Sequence, residues 1–355
     1  MNPELFLADL EAKPAILRAF AADLGNPWAH IGPVRRVIML GMGSSRYAAQ
    51  VAARRLRAHG IDATAEYASA ESTHAFPPGE TLTIAISATG GSRETLDAVG
   101  AGRQTLDAVG GSRQTLAAGG RQTTDATGGS PQTLDAVGHD YTALTNDPAS
   151  ELARRAATVV EMRAGVEQGG VACRSFQHTQ LLLHTLVEHL TGGDTASTAE
   201  LARRTAEATD DLLWRRDEWL PAARELLEPA DGIFPIAPAE RISSALQSAL
   251  MFREGPRRAA DGCETGDWAH VDVYLTKTLR YAAVFLPGSR YDEQALDWLR
   301  QRGSTVVAVG GEVPGAALAV RFRHDDLPGV RLMTETLVSE LVAASLWAGA
   351  RPGKP

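Results

Sequence analysis

The stretch Ser87-Ala88-Thr89-Gly90-Gly91-Ser92-Arg93-Glu94-Thr95 gathers three hydroxyls, Ser87, Thr89 and Ser92, around a glycine pair. Hydroxyls donate hydrogen bonds without carrying charge, and glycine lets a backbone approach a ligand closely. If such a loop leaves a strand and opens a helix, the unpaired first-turn N–H groups and the helix dipole make it an anion site. An ordinary strand-to-helix turn capped by Ser92 fits the same residues, and on these residues alone both readings stay open. A second loop, Gly41-Met42-Gly43-Ser44-Ser45-Arg46, has the same small and hydroxylic character. It lacks the third glycine of a dinucleotide fingerprint, and only Glu66 could serve as the ribose acid, so a nicotinamide site is a poor fit. His178, His184 and His189 are spaced six and five apart, which is not the i, i+4 pair of a metal-binding helix. Cys173 has no histidine base beside it in sequence and reads as a packing residue. Arg253, Arg257 and Arg258 fit a solvated face or a contact to an anionic group, and Glu254 by itself fits a helix-end surface carboxylate.

The elements that must position these residues alternate. Residues 3 to 24 read as an amphipathic helix that Pro14 kinks or splits. Arg36 to Leu40 is a strand running into the first loop, and Tyr47 to His59 is a helix. Ala63 to Tyr67 and Thr81 to Ile86 are strands, the latter entering the second loop, with a helix starting over Glu94 to Val99. Tyr141 to Thr145 and Thr158 to Met162 follow as strands, with Ser150 capping a short helix to Ala157 between them. Phe176 to Leu190 and Ala199 to Trp219 read as two long helices. From Ile233 the alternation resumes, with strands at Ile233 to Ala237, Tyr281 to Leu286 and Thr305 to Val309. Helices are expected at Arg241 to Arg253, Tyr291 to Arg302 and Met333 to Ala348. This pattern predicts an α/β protein made of two doubly wound parallel sheets in tandem. The expected boundaries are a helical segment 1–27, a first domain 28–192, a connector 193–225, and a second domain with tail, 226–355.

From Gly90 the chain also repeats itself every ten residues or so: GGSRETLDAV, GAGRQTLDAV, GGSRQTLAAG, GRQTTDAT, GGSPQTLDAV. Each unit has too few apolar side chains to bury a core, so Gly100 to Pro131 is expected to be a surface insert. A formal net charge of -8 argues against a nucleic-acid surface. Two cysteines, Cys173 and Cys263, fit a reducing cytoplasm. No apolar run approaches a membrane span, and the start Met1-Asn2-Pro3-Glu4 lacks the pattern of a signal peptide.

Taken together, the two loops resemble those of the sugar isomerase (SIS) domain family. The whole chain apart from the insert resembles its two-domain form, as in the isomerase half of glutamine–fructose-6-phosphate aminotransferase and related sugar-phosphate deaminases. The Gly-Ser-Ser of the first loop is matched by Gly43, Ser44 and Ser45, and Ser-x-Ser-Gly-x-Thr-x-x-Thr of the second by Ser87, Thr89, Gly90, Ser92 and Thr95. Val-Ala-Ser-Thr-Lys corresponds to Val171-Ala172-Cys173-Arg174 with one residue fewer. Lys-Glu at a helix end corresponds to Arg253-Glu254, and a histidine sixteen residues later to His270.

The resemblance implies a flavodoxin-like, SIS-type fold and a site for a hexose or hexosamine 6-phosphate. Gly43, Ser44, Ser45, Ser87, Thr89 and Ser92 would hold the phosphate, and Val171 and Cys173 would line the sugar. Glu254 would move a proton between C1 and C2. His270 would assist ring opening, reaching a neighbouring subunit's site in a homodimer. It implies no cofactor and no metal. The chain departs from the pattern in places: Met251 stands one turn before the glutamate where the aminotransferase has lysine, and His-Gly-Pro is His270-Val271-Asp272. The tail's Lys354 lies in Pro-Gly-Lys-Pro, and there is no glutaminase domain and no cysteine at position two. The expected activity is therefore isomerisation or deamination, with a non-catalytic sugar-phosphate-binding regulator as the alternative.

Overall fold

A computed structural model describes residues 1–70, 80–100 and 141–350. The repeat insert and Lys354 lie outside the described residues. The N-terminal helical segment is split, as Pro14 suggested. Helix α1 (Pro3–Glu11) is capped by Asn2, and α2 (Lys13–Ala22) carries Pro14 in its first turn, where a missing N–H costs nothing.

The first sheet is built from β1 (Arg36–Gly41), β2 (Asp62–Tyr67), β3 (Thr81–Ile86), β4 (Tyr141–Thr145) and β5 (Thr158–Glu161), all parallel, in the order β2-β1-β3-β4-β5. Helix α3 (Gly43–Ala58) follows β1, residues 93–100 form α4 after β3, and α5 (Glu151–Arg155) follows β4 with Ser150 as its cap. All five residues of β4 are buried, as expected of a strand covered on both faces. Helix α6 (Arg174–Thr191) then closes the first unit.

The expected connector helix 199–219 is two helices, α7 (Ala196–Trp214) and α8 (Arg216–Leu227), because Arg215 leaves helical geometry between them. The second sheet comprises β6 (Gly232–Ala237), β7 (Cys263–Glu264), β8 (Tyr281–Phe285), β9 (Thr305–Val309) and β10 (Leu318–Val320), all parallel, in the order β10-β9-β8-β6-β7. Counted from its own first strand this is again 2-1-3-4-5, the flavodoxin-like order. Helix α9 (Ile242–Glu254) links β6 to β7, α10 (Thr265–Trp268) follows β7, and α11 (Asp292–Gln301) links β8 to β9. The expected closing helix 333–348 is also two, α12 (Pro328–Thr334) and α13 (Thr336–Gly349).

The brevity of β7 has a cause in β6. Pro235 sits mid-strand and offers no N–H. Ile236 faces β8, accepting from Leu286 N, so Pro235 faces β7. There the ladder breaks between the Ile233–Ala260 bridge and the pairing of Ile236 with Cys263. Among the described residues no helix is long and apolar enough to cross a membrane.

Candidate functional site

In each sheet the crevice for a ligand lies beyond the carboxyl ends of its first and third strands, where the strand order reverses. In the first sheet these are β1 and β3, and both singled-out loops are there. Gly41 ends β1 because a Cβ would stand 3.0 Å from that of Ser45, so glycine lets the first turn of α3 fold back on the strand. Gly43 starts α3 with φ +48, and no side chain caps the helix; the Ser45 N–H turns back to Met42 O (3.1 Å), which leaves the N–H groups of Gly43 and Ser44 for a ligand. In the second loop Ser87 is 6% exposed and donates its N–H to Leu144 O. Thr89 is exposed. Gly90 has φ +61, and a Cβ there would lie 2.0 Å from Ser150 Oγ, so the loop is seated directly on the cap of α5.

Ser92 Oγ accepts from Thr95 N (3.4 Å) and Thr95 Oγ1 (3.2 Å) and donates to Glu94 (3.0 Å). The plain capping role is therefore real, and Ser92 caps the helix whose N-terminus faces the crevice. Hydrogen bonds from its own N–H and from Ser92 hold the Glu94 carboxyl below the usual range.

Glu254 reaches the same end of the molecule from the second domain. Arg54, near the end of α3, donates to Glu240, just ahead of α9 (2.9 Å). Along α9, Ser243 meets Gln180 of α6 (3.0 Å) and Gln247 meets Ala172 O, ahead of α6 (2.7 Å). So α9 runs antiparallel to both α3 and α6. Its C-terminal Glu254 therefore lies toward the end where α3 and α6 begin, within electrostatic reach of Glu167 ahead of α6. Glu254 is half-buried and has no hydrogen bond or ion pair to any described residue. Burial pushes its carboxyl up, and the nearby Glu167 charge adds to the shift against the pull of Arg253.

Glu167 is a residue that the sequence reading missed. Its carboxylate accepts from Cys173 N (2.7 Å), Arg174 N (2.6 Å), Ser175 N (3.1 Å) and Ser175 Oγ (2.6 Å), filling the N-terminus of α6 with a built-in anion. The side chains of Val171 and Cys173 are 2% and 0% exposed in the apolar cluster of the second domain. What this loop offers a ligand is therefore its main chain, and burial pushes the Cys173 thiol well above its ordinary range.

His270 does not join Glu254 within one chain. Glu254 ends α9 at the edge where the strands of the second sheet begin. The run from Ala260 to Glu264 then crosses the sheet, roughly 13 Å at about 3.3 Å per residue, before His270 follows α10. His270 is exposed there. The three histidines of α6 serve its packing. His178 is buried, bonds Met162 O through Nδ1 (2.8 Å), and burial pulls it to about 4. His184 is likewise pulled to about 4, and His189 bonds Ile31 O (2.8 Å). Arg258 holds the carbonyls of Glu228 and Ala230.

The matching crevice of the second sheet is filled by the chain itself. Arg241 pairs with the buried Glu335 and bonds Pro287 O, and Asp292 takes the N–H groups of Gly288 (2.6 Å) and Ser289 (3.2 Å).

The fold thus defined, two tandem doubly wound SIS-type domains, is shared with solved structures over nearly the whole chain. The C-terminal domain of glucosamine-fructose-6-phosphate aminotransferase from Francisella tularensis superposes with a TM-score of 0.75 at 14% identity, covering 97% of this chain and 96% of that one. Glucosamine-6-phosphate deaminase from Thermotoga maritima gives 0.67 at 17%, covering 97% and 94%. Tagatose-6-phosphate ketose/aldose isomerase from Escherichia coli gives 0.67 at 15%, covering 98% and 94%. At such identities the likeness is one of fold. By sequence, the chain matches no protein-family model and no curated protein.

Proposed function

We propose that the chain binds a hexose or hexosamine 6-phosphate in the crevice between β1 and β3 and catalyses its aldose–ketose isomerisation or deamination. The observation that carries this reading is that α9 runs antiparallel to α3, which brings the unpaired, half-buried Glu254 toward the end of α3 where two hydroxyl-bearing, phosphate-type loops lie. Ser45, Ser87, Thr89 and Ser92, with the free N–H groups of α3, hold the phosphate. Glu254 takes the proton from C2, leaving an enediol, and returns it to C1, while a hydroxyl proton passes between O1 and O2. This chemistry asks for one positioned base of raised pKa. The aminotransferase, deaminase and isomerase names of the fold neighbours are in keeping with it.

A second reading, a sugar-phosphate-binding regulator without turnover, is favoured by the position of His270. It can assist ring opening at Glu254 only from a second copy of the chain, so catalysis on this plan requires a homodimer. The deciding experiment is exchange of the C2 proton in heavy water, followed by NMR over hexose and hexosamine 6-phosphates. Exchange that disappears in Glu254→Gln supports the enzyme. Binding without exchange in the wild type supports the regulator, and unchanged exchange in the variant overturns Glu254 as the base.

A further inference from the structure

Among the described residues, Arg46 is a cation at the crevice without an anion. Arg46, in the first turn of α3 directly after Ser45, lays its guanidinium over the Tyr67 ring at 3.8 Å from the centroid, with the Tyr47 ring 5.6 Å away. It has no hydrogen bond or ion pair to any described residue, and its Nε is buried without a partner. Glu66, next to Tyr67, turns its carboxylate to the Tyr67 N–H (3.1 Å) instead. The other arginine of the two loops, Arg93, is 90% exposed and pairs with Asp97. An arginine held on an aromatic face with an unused donor edge is unusual, because buried polar groups are nearly always bonded.

Its direction tells which part of a ligand it would meet. The phosphate-type groups face the gap between β1 and β3. Tyr67 ends β2 on the other side of β1, paired in register with Gly41. Tyr67, on which the guanidinium rests, therefore ends a strand two spacings, some 9.6 Å, from β3, whose loop carries Ser87 and Ser92. A planar fork of donors at that place suits a carboxylate held bidentately.

We propose that Arg46, stacked on Tyr67, reads a carboxylate carried by the substrate in addition to its phosphate, so that the site prefers a phosphorylated sugar acid or a carboxylate-bearing sugar phosphate over a plain hexose phosphate. This rests on the crevice being the sugar-phosphate site.

The test compares 6-phosphogluconate with sorbitol 6-phosphate, which differ only in a carboxylate against a CH2OH at C1, by calorimetric titration of the full chain. The wild type is expected to bind the acid roughly tenfold more tightly, as one charge-assisted fork supplies. In Arg46→Met, which still covers Tyr67, that preference falls to about one while sorbitol 6-phosphate binding stays within about threefold of wild type, since only an uncharged contact changes. Arg46→Lys, with charge but no fork, keeps part of the preference and serves where the Met variant does not fold. Wild-type binding of sorbitol 6-phosphate without preference for the acid overturns this proposal and spares the crevice. Equal weakening of both ligands in Arg46→Met assigns Arg46 to the phosphate and also overturns it. If neither ligand binds the wild type, the crevice reading fails and this proposal falls with it.

Discussion

A half-buried carboxylate without an ion-pair partner keeps its proton to higher pH than one in water. Glu254 is such a group, and to act as the proposed base it must be ionised, so turnover should rise with pH through a midpoint above the ordinary carboxylate range; a pH–rate profile checks this. The stability sign runs the same way. A carboxyl raised in the folded state favours folding below its unfolded pKa and loses that advantage as pH rises through the folded one. Glu254→Gln should therefore be no less stable than wild type at pH 7, with a melting temperature higher by roughly 1–2 °C, and the gain should vanish near pH 4. Glu167→Gln removes the like charge, so the rising limb should move to lower pH, while weakening the α6 cap by about 1 kcal/mol. Glu254 could be singled out in the sequence only through the paired loops and its spacing to His270. Glu167 could not, because its carboxylate reaches α6 across the glycine turn at Gly169 and Gly170 rather than from the three-residue spacing of a capping box.

Strands entering loops were legible because a fully covered parallel strand is a short apolar run, and β3, β4 and β9 have the bounds the sequence predicts. Breaks between helices were not. Arg215 parts α7 from α8 and Glu335 parts α12 from α13 with no glycine or proline at the break, so periodicity ran through both. The two-residue β7 and three-residue β10 carry too few residues for any period to show. The loop after β3 was visible as chemistry but not as architecture: nothing in its sequence shows that Gly90 rests on Ser150. Gly90→Ala should cost about 2 kcal/mol or more from overpacking and a disfavoured φ, read in denaturant unfolding, and should weaken sugar-phosphate binding by displacing Thr89 and Ser92.

At the scale of the molecule, the N-terminal helices lock the halves together. Lys13 pairs with Glu340 of α13, both almost fully buried, and Asp9 pairs with Arg174 at the start of α6 (3.1 Å). Gly169 packs on Phe6 of α1 so closely that a Cβ would lie 2.5 Å from its Cα. Lys13→Met should leave Glu340 charged and unpaired in the core and cost about 3–5 kcal/mol, whereas adding Glu340→Leu should restore most of it; thermal unfolding of the two variants checks this. The pairing of α3 with α9 has a consequence for the time course of folding. The chain's first half emerges from the ribosome with its loops complete, and the carboxylate arrives only with the second. On the proposed function, a half-made chain could thus hold a sugar phosphate without being able to alter it, and regained turnover after dilution from denaturant would report the docking of the halves, lagging behind the return of helical signal.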